Sequence, residues 1–238
     1  MNNQALVSYI QKYHLNGMVN SVIWKVKEKV AEVKFVSMVN STAGVIYFPV
    51  DIEDSEFGIF DTSSLLKLLS IMKENVDVIL LKEHGIYMKM QVSDEIYEGS
   101  FSLADVRSIE EAPAVDEPKV FEVSFILDKP FKEQYLKAYR ALGSINRFTI
   151  QTTPKDIKIT VGDKESYANK VSFNKECADF LPLPTSKSFS GDAIAEILKS
   201  NDDFTSGLLE VSTEGLMKIS INNDDYSVNY YLIELEEV

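Results

Sequence analysis

The residue types that usually perform chemistry in proteins are sparse in this sequence and poorly spaced for it. The chain has two histidines, His14 and His84, and one cysteine, Cys177, none with a second ligand at metal-binding spacing. The 10 glycines are scattered through predicted turns and form no phosphate-binding loop. These residues support neither a zinc site nor a catalytic relay built on histidine or cysteine.

Two pairs of adjacent aspartates, Asp202–Asp203 and Asp224–Asp225, are the remaining candidates for binding a divalent ion. Both pairs lie in predicted loops, where aspartates commonly serve as solvated turn residues. We therefore predict no catalytic residues, no metal, no cofactor and no enzymatic activity.

The composition predicts a globular protein with room for two domains. Of 238 residues, 45% are hydrophobic and 26% are charged. The net charge of −13 argues against adhesive binding of nucleic acid over the whole surface, but it leaves room for a local basic surface. The lone cysteine fits a reducing cytoplasm, the longest apolar run (76–81) is too short to span a membrane, and we expect no signal peptide.

The chain repeats one order of elements, in which a strand, an aspartate and an amphipathic helix precede a meander of strands. Clear copies occupy residues 57–90, 123–161 and 187–221, and a degenerate copy opens the chain. The predicted helix-start aspartates of the three clear copies are Asp61, Asp128 and Asp192. One helix for each set of antiparallel strands predicts an α+β fold with helices on one face of the sheets.

The segment 106–120 contains two prolines and several carboxylates and has no clear periodicity. Such composition is typical of an interdomain connector. We therefore predict domain 1 over residues 1–106, a connector over 107–119 and domain 2 over 120–238.

Positive charge is concentrated in the predicted helices, which cover residues 2–14, 61–74, 128–142 and 190–200. These helices carry 8 Lys and Arg against 6 Asp and Glu, whereas the remainder carries 16 against 31. Cations and small neutral polar groups on a helix face suit loose contact with phosphates. The alternative interpretation is that these lysines only solvate helix exteriors.

Together these features resemble a DNA sliding clamp, most closely the polymerase processivity clamp of large tailed bacteriophages. The resemblance rests on the strand, aspartate and Leu-rich helix of "FGIFDTSSLLKLLSIMKENVDVIL" (57–80), on "LADVRS" (103–108) and on the final strand "YSVNYYLIELEEV" (226–238). It implies a two-domain sliding-clamp fold, in which each domain consists of two helix-plus-antiparallel-meander units. It also implies a homotrimeric ring that encircles duplex DNA and tethers the replicative DNA polymerase after a clamp loader has placed it.

In that family the helices line the hole of the ring, which a mobile DNA duplex occupies. The resemblance therefore implies a non-sequence-specific DNA face on the four helices. The residues expected to face DNA are Gln4, Lys12, Lys67, Lys129, Lys137, Arg140 and Lys199. A viral source would place the protein in the cytoplasm of the host cell.

Two further surfaces follow from the resemblance. Subunits are expected to join by antiparallel pairing of residues 95–103 with residues 166–173 of a neighbour, through Tyr97, Phe101, Ser166 and Ser172. Partner proteins are expected to insert a terminal peptide into an apolar pocket beside the connector. The expected lining residues are Ile109, Pro113, Val115, Leu181, Leu183, Tyr231 and Ile233.

Two alternatives from other classes stay open at this point. A β-rich virion or structural protein made of duplicated domains explains the repeats and the acidity, but not the relatively basic helices. An enzyme with an unrecognised carboxylate site is the third interpretation.

Overall fold

The computed structural model describes residues 1–143, 147–163, 168–175 and 180–236. Cys177 and the predicted interface residue Ser166 lie outside these ranges. The chain forms two compact units. Unit 1 consists of residues 1–113 and 224–228, and unit 2 consists of residues 114–223 and 229–238.

Unit 1 contains two helices and seven strands among its described residues. In chain order these are α1 (Asn3–His14), β1 (Val22–Lys27), β2 (Val30–Val36), β3 (Thr42–Pro49), β4 (Ser55–Ile59), α2 (Thr62–Ser70), β5 (Asp77–Glu83), β6 (Ile86–Ser93) and β7 (Glu98–Ser102). The strands pair antiparallel in the orders β4-β1-β2-β3 and β5-β6-β7.

Unit 2 repeats this plan with an additional strand at its start. Its elements are β8 (Val123–Asp128), α3 (Lys129–Leu142), β9 (Arg147–Thr152), β10 (Ile157–Gly162), β11 (Lys170–Lys175), β12 (Lys187–Ser190), α4 (Gly191–Ser200), β13 (Ser206–Val211), β14 (Leu216–Asn222) and β15 (Ser227–Ile233). The strand orders are β11-β10-β9-β12 and β15-β14-β13-β8. The predicted α+β class with antiparallel sheets is confirmed.

Aromatic side chains hold the helices of each unit against its strands. In unit 1 the ring of Tyr9 on α1 stacks 5.1 Å from that of Phe48, and the Trp24 indole donates a 3.2 Å hydrogen bond to the Tyr13 hydroxyl. In unit 2 the ring of Tyr135 on α3 meets that of Phe148 edge-on at 5.5 Å. Alternate strand residues point into these cores, as the period-2 sequence pattern requires.

The helix starts agree with the sequence at two of the three predicted aspartates. Asp61 and Asp128 cap α2 and α3, each accepting a hydrogen bond from the backbone amide three residues later. The prediction that Asp192 caps α4 is wrong. Ser190 is the cap, because its Oγ accepts a 3.2 Å hydrogen bond from the Ala193 amide. Asp192 lies in the first turn, where its charge complements the helix dipole.

Candidate nucleic-acid interface and strand edges

The exposed face of α2 carries a cation between small polar side chains. Lys67 is exposed with Ser64 and Ser70, while Leu65 and Leu69 are buried. The one carboxylate at this end, Asp61, accepts hydrogen bonds from both the amide and the hydroxyl of Ser64. These bonds hold the pKa of Asp61 below its ordinary value, so the carboxylate stays ionised as a cap.

Helix α3 presents the largest group of exposed cations. Lys129, Lys137 and Arg140 are exposed with Glu133 among them, opposite the buried residues Phe131 and Tyr135. Within the described residues, no ion pair joins Lys67, Lys129, Lys137 or Arg140 to a carboxylate. These four side chains therefore keep their charge available for an anion outside the chain.

The predicted placement of Lys12 on an exposed face is wrong. Lys12 is fully buried; its Nζ donates a 2.9 Å hydrogen bond to Ser8 Oγ and lies 4.3 Å from the centroid of the Tyr226 ring. Helical periodicity identifies only the apolar stripe that packs on the strands. Residues 224–228 belong to the same compact unit as α1, and Tyr226 of this segment packs on Lys12. Gln4, at the start of α1, is exposed as predicted.

Helix α4 contributes little free positive charge. Lys199 is exposed, but its Nζ lies 2.6 Å from Glu196 Oε1 and 5.0 Å from the centroid of the Tyr139 ring. Tyr139 in turn donates a 2.7 Å hydrogen bond to Asp192, which raises the pKa of the Tyr139 phenol to about 12. Glu196 therefore offsets the charge of Lys199.

Strand β7 forms one edge of its sheet, and its backbone shows which groups face outward. The Asp94 amide donates to the Tyr97 carbonyl and the Leu103 amide to the Met88 carbonyl, both at 2.9 Å. Hydrogen-bonded pairs alternate along an antiparallel ladder. Given the register of β6 and β7, the odd-numbered residues of β7 bond to β6. The amides and carbonyls of Glu98, Ser100 and Ser102 therefore face the open edge.

The Tyr97 amide does not face that edge, because it donates a 2.6 Å hydrogen bond to Asp94 Oδ1. The Tyr97 side chain is 47% exposed, and that of Phe101 is half-buried. Tyr97 can therefore join an interface through its ring but not through its amide.

Strand β11 is the matching edge in unit 2. The Thr153 amide donates to the Asp156 carbonyl at 2.8 Å, which fixes the alternation along β9 and β10. The register between β10 and β11 extends the same alternation to β11. The amides and carbonyls of Lys170, Ser172 and Asn174 therefore face the open edge. Ser172, a predicted interface residue, is exposed and has its amide directed outward.

Carboxylates of the connector accept hydrogen bonds from strand residues of each unit. In unit 1, Glu111 accepts a 3.0 Å hydrogen bond from Lys25 on β1. In unit 2, Glu117 accepts bonds from Lys218 at 2.7 Å and from the Tyr231 hydroxyl at 2.6 Å. Sequence reasoning missed Lys25 and Lys218, although both occupy outward positions on otherwise alternating strands.

Two residues predicted to line the partner pocket are instead part of the core. Ile109 is 7% exposed and packs on Gly58, where an added Cβ would lie 2.6 Å from Ile109 Cδ1. Leu183 is 8% exposed, and its amide donates to Thr152 Oγ1. The remaining predicted lining residues are exposed or half-buried: Pro113, Val115, Leu181, Tyr231 and Ile233.

One residue considered for catalysis, His14, has a structural role. His14 is buried; its Nδ1 accepts from the Gly17 amide at 3.1 Å, and its Nε2 lies 2.9 Å from Ser63 Oγ. Across the described residues, no group of three or more His, Cys, Asp or Glu side chains could hold a metal ion. In the same part of the chain, no helix combines the length and apolar character that a membrane span requires.

Comparison with known proteins identifies the fold. The sequence matches no protein-family model and no curated protein. Solved structures match along the whole chain. The PCNA of A. fulgidus, bound to the C-terminal region of FEN-1, has a TM-score of 0.76 and 14% identity, with 100% of this chain and 98% of that chain covered.

Two further PCNA structures agree with this match. The Proliferating Cellular Nuclear Antigen of Entamoeba histolytica has a TM-score of 0.72 and 15% identity, covering 99% of this chain and 97% of that chain. A chain of the PCNA2–PCNA3 complex of Sulfolobus tokodaii has a TM-score of 0.75 and 10% identity, covering 100% and 98%. Over its full length, the chain therefore has the sliding-clamp fold of PCNA.

Proposed function

We propose that this chain is a subunit of a sliding clamp, a ring that encircles duplex DNA and tethers the replicative DNA polymerase. The full-length similarity to PCNA structures is the observation that carries the proposal. Such a protein raises processivity by topological linkage, so it needs no catalytic residue. The fold does not favour the alternative of a virion or structural protein.

The DNA face of the proposed clamp lies on the exposed helix surfaces. Lys67, Lys129, Lys137 and Arg140 would make weak phosphate contacts that carry no base information, so DNA could slide. Gln4 would add a neutral polar contact, and Lys199 a cation already offset by Glu196. The acidic remainder of the chain would discourage DNA from adhering elsewhere.

We propose that three subunits close the ring, because two domains in each would supply the six that a clamp ring contains. Support comes from the strand edges of β7 and β11, which pair with no further strand among the described residues and so offer outward amides to another chain. The neighbouring chain in the Sulfolobus tokodaii complex shows that a protein of this fold associates with a second clamp chain.

Partner proteins are proposed to dock by a short terminal peptide, as the C-terminal region of FEN-1 does on the A. fulgidus PCNA. The exposed apolar residues Leu181 and Ile233 and the half-buried Tyr231 support such a site on unit 2. The polymerase and a clamp loader are the proposed partners. A bacteriophage source, with the protein in the host cytoplasm, stays a prediction from the sequence resemblance.

The decisive experiment combines light scattering with a topology assay on DNA. We expect a trimer by size-exclusion chromatography with light scattering. Loaded onto nicked circular DNA by the cognate loader, it should be retained, and it should leave when one restriction cut linearises the circle. Retention that is equal on circular and linear DNA would contradict encirclement, and a monomer at all concentrations would contradict the ring.

A further inference from the structure

The outer edge of β5 is an open sheet edge in unit 1. Strand β5 pairs with β6 and lies at the edge of the three-stranded sheet. In the part of the chain that the structure describes, the other side of this segment meets one isolated bridge, between Asn2 and Asn75, just before β5 begins. Among the described residues, no strand pairs with the rest of β5 on that side.

The backbone direction along this edge follows from two hydrogen bonds. The Asn3 amide donates to the Glu74 carbonyl at 2.7 Å, and the Val76 amide donates to the Met1 carbonyl at 3.0 Å. Even-numbered residues of this segment therefore face the edge, and the alternation continues into β5. Val78 and Leu80 thus direct their amides and carbonyls outward.

The side chains at this edge increase its tendency to associate. Ile79 is 55% exposed and Leu81 is 38% exposed, and no charged residue interrupts residues 78–81. Natural edge strands are usually protected by charges, prolines, bulges or a covering element. Here the one irregularity, a register shift between Leu81 and Lys82, comes only after the apolar stretch.

Unit 2 shows what covers the equivalent strand. Strand β13 follows α4 as β5 follows α2, and β8 pairs with β13 over six residues, from Val123 opposite Val211 to Asp128 opposite Ser206. Strand β8 buries Val123, Phe125 and Leu127 at alternate positions and leads directly into α3. In unit 1, α1 begins after Asn2 with no comparable strand among the described residues.

We propose that the open edge of β5 is a docking site for an extended segment of a partner protein. The segment adds as an antiparallel strand, bonds to Val78 and Leu80, and carries apolar side chains at alternate positions as β8 does. It occupies in unit 1 the place that β8 holds in unit 2. This inference rests on the open edge of β5 in unit 1 and on the pairing of β8 with the equivalent strand β13 in unit 2, and it does not depend on the proposed clamp function.

The probe is a synthetic peptide of residues 122–129 (EVSFILDK), titrated against the full chain. Amide hydrogen exchange, read residue by residue by NMR, should be fast at Val78 and Leu80 without peptide and slow at saturation. The amides of Ile79 and Leu81, which bond β6, should be protected in both states. A scrambled peptide of the same composition should leave the exchange of Val78 and Leu80 fast.

A matched pair of variants tests the location. Ile79→Lys places a charge on the edge strand and should weaken binding of the peptide about fivefold, through loss of an apolar cross-strand pair. Ile96→Lys, the same change at a residue that is 61% exposed outside the strands, should bind like wild type. Equal weakening by both variants would overturn the assignment to β5.

Three exchange results would also overturn the proposal. Val78 and Leu80 amides that are slow in the free chain at every concentration would mean that the edge is already covered. Protection that grows with protein concentration alone would assign the edge to a second copy of this chain. Amides that stay fast at saturating peptide would exclude strand addition at β5.

Discussion

Individual residues of the same type have different roles in this protein, and contacts decide which. Lys67 and Lys12 both lie opposite an apolar stripe on their helices, yet Lys67 is exposed and Lys12 is fully buried against Tyr226. Lys132, on the same helix as three exposed cations, is buried and pairs with Asp202 at 2.6 Å. Only the exposed, unpaired cations can serve a DNA face.

The first residue-scale prediction concerns those cations. The triple variant Lys67→Glu, Lys137→Glu, Arg140→Glu should reduce loader-dependent DNA synthesis by about tenfold or more, because repulsion replaces phosphate contacts. Subunit association should be unchanged by light scattering.

Its matched control makes the same charge change on exposed strand lysines away from the proposed subunit edges, at Lys27, Lys89 and Lys158. This control should keep most of the synthesis activity. Equal losses in the two triple variants would mean that total charge matters and that the helix faces do not.

The second residue-scale prediction concerns pH. Burial lowers the pKa of His14 below its ordinary value near 6.5, against an opposing effect of Asp61. Because the pKa of His14 is lower in the folded chain than in the unfolded chain, the unfolded chain binds the proton first as the pH falls. The contribution of His14 to the free energy of unfolding is therefore complete above about pH 6.5, and it is lost as the pH drops through the folded-state pKa.

Urea unfolding at pH 7.5 and pH 5.5 measures this effect. His14→Gln should show a smaller fall in the free energy of unfolding between the two pH values than wild type. His84→Gln is the control, since it removes an exposed imidazole and none of the bonds to Gly17 or Ser63. An equal fall in wild type and His14→Gln would remove His14 as the cause.

At the scale of elements, the open edges of β7 and β11 determine how the chain could assemble. The outward amides include those of Ser100 on β7 and Ser172 on β11. Ser100→Pro or Ser172→Pro removes a donor from the proposed intersubunit ladder without removing one that bonds within the chain. We expect a folded monomer or weakened trimer from each variant, by light scattering and circular dichroism.

The alanine variants at the same two positions keep the amide and should remain trimeric. Tyr97→Pro is unsuitable as a test, because it would break the bond from the Tyr97 amide to Asp94 inside the chain. Unchanged trimers from both proline variants would place the subunit contact elsewhere.

For the whole molecule, the proposed partner site, at one per subunit, predicts competition between polymerase and loader. A peptide from the C-terminus of the cognate polymerase should bind Leu181→Ala about tenfold more weakly than wild type, because an apolar anchor loses its contact. Val39→Ala, at a residue that is 79% exposed in unit 1, is the control. Fluorescence anisotropy gives both affinities, and equal binding would exclude Leu181 from the site.

The order of elements can be predicted without the structure, because this information is local. Hydrophobic periodicity and capping side chains identify helices such as α2 and α3 within a few residues, and turn residues separate the strands. The same local signals predicted that Lys67, Lys129, Lys137 and Arg140 would be exposed, and they are. The domain limits 1–106 and 120–238, the partner site and the bacteriophage origin stay predictions.

Which side chains are covered by a second segment depends on tertiary packing. Lys12, Ile109 and Leu183 are buried by residues distant in sequence, which no helical or strand period can reveal. The direction of each edge amide likewise depends on which strand lies alongside, so Tyr97 and Ser100 differ although both lie at or beside the same edge. Burial and pairing are properties of two segments at once, whereas periodicity is a property of one.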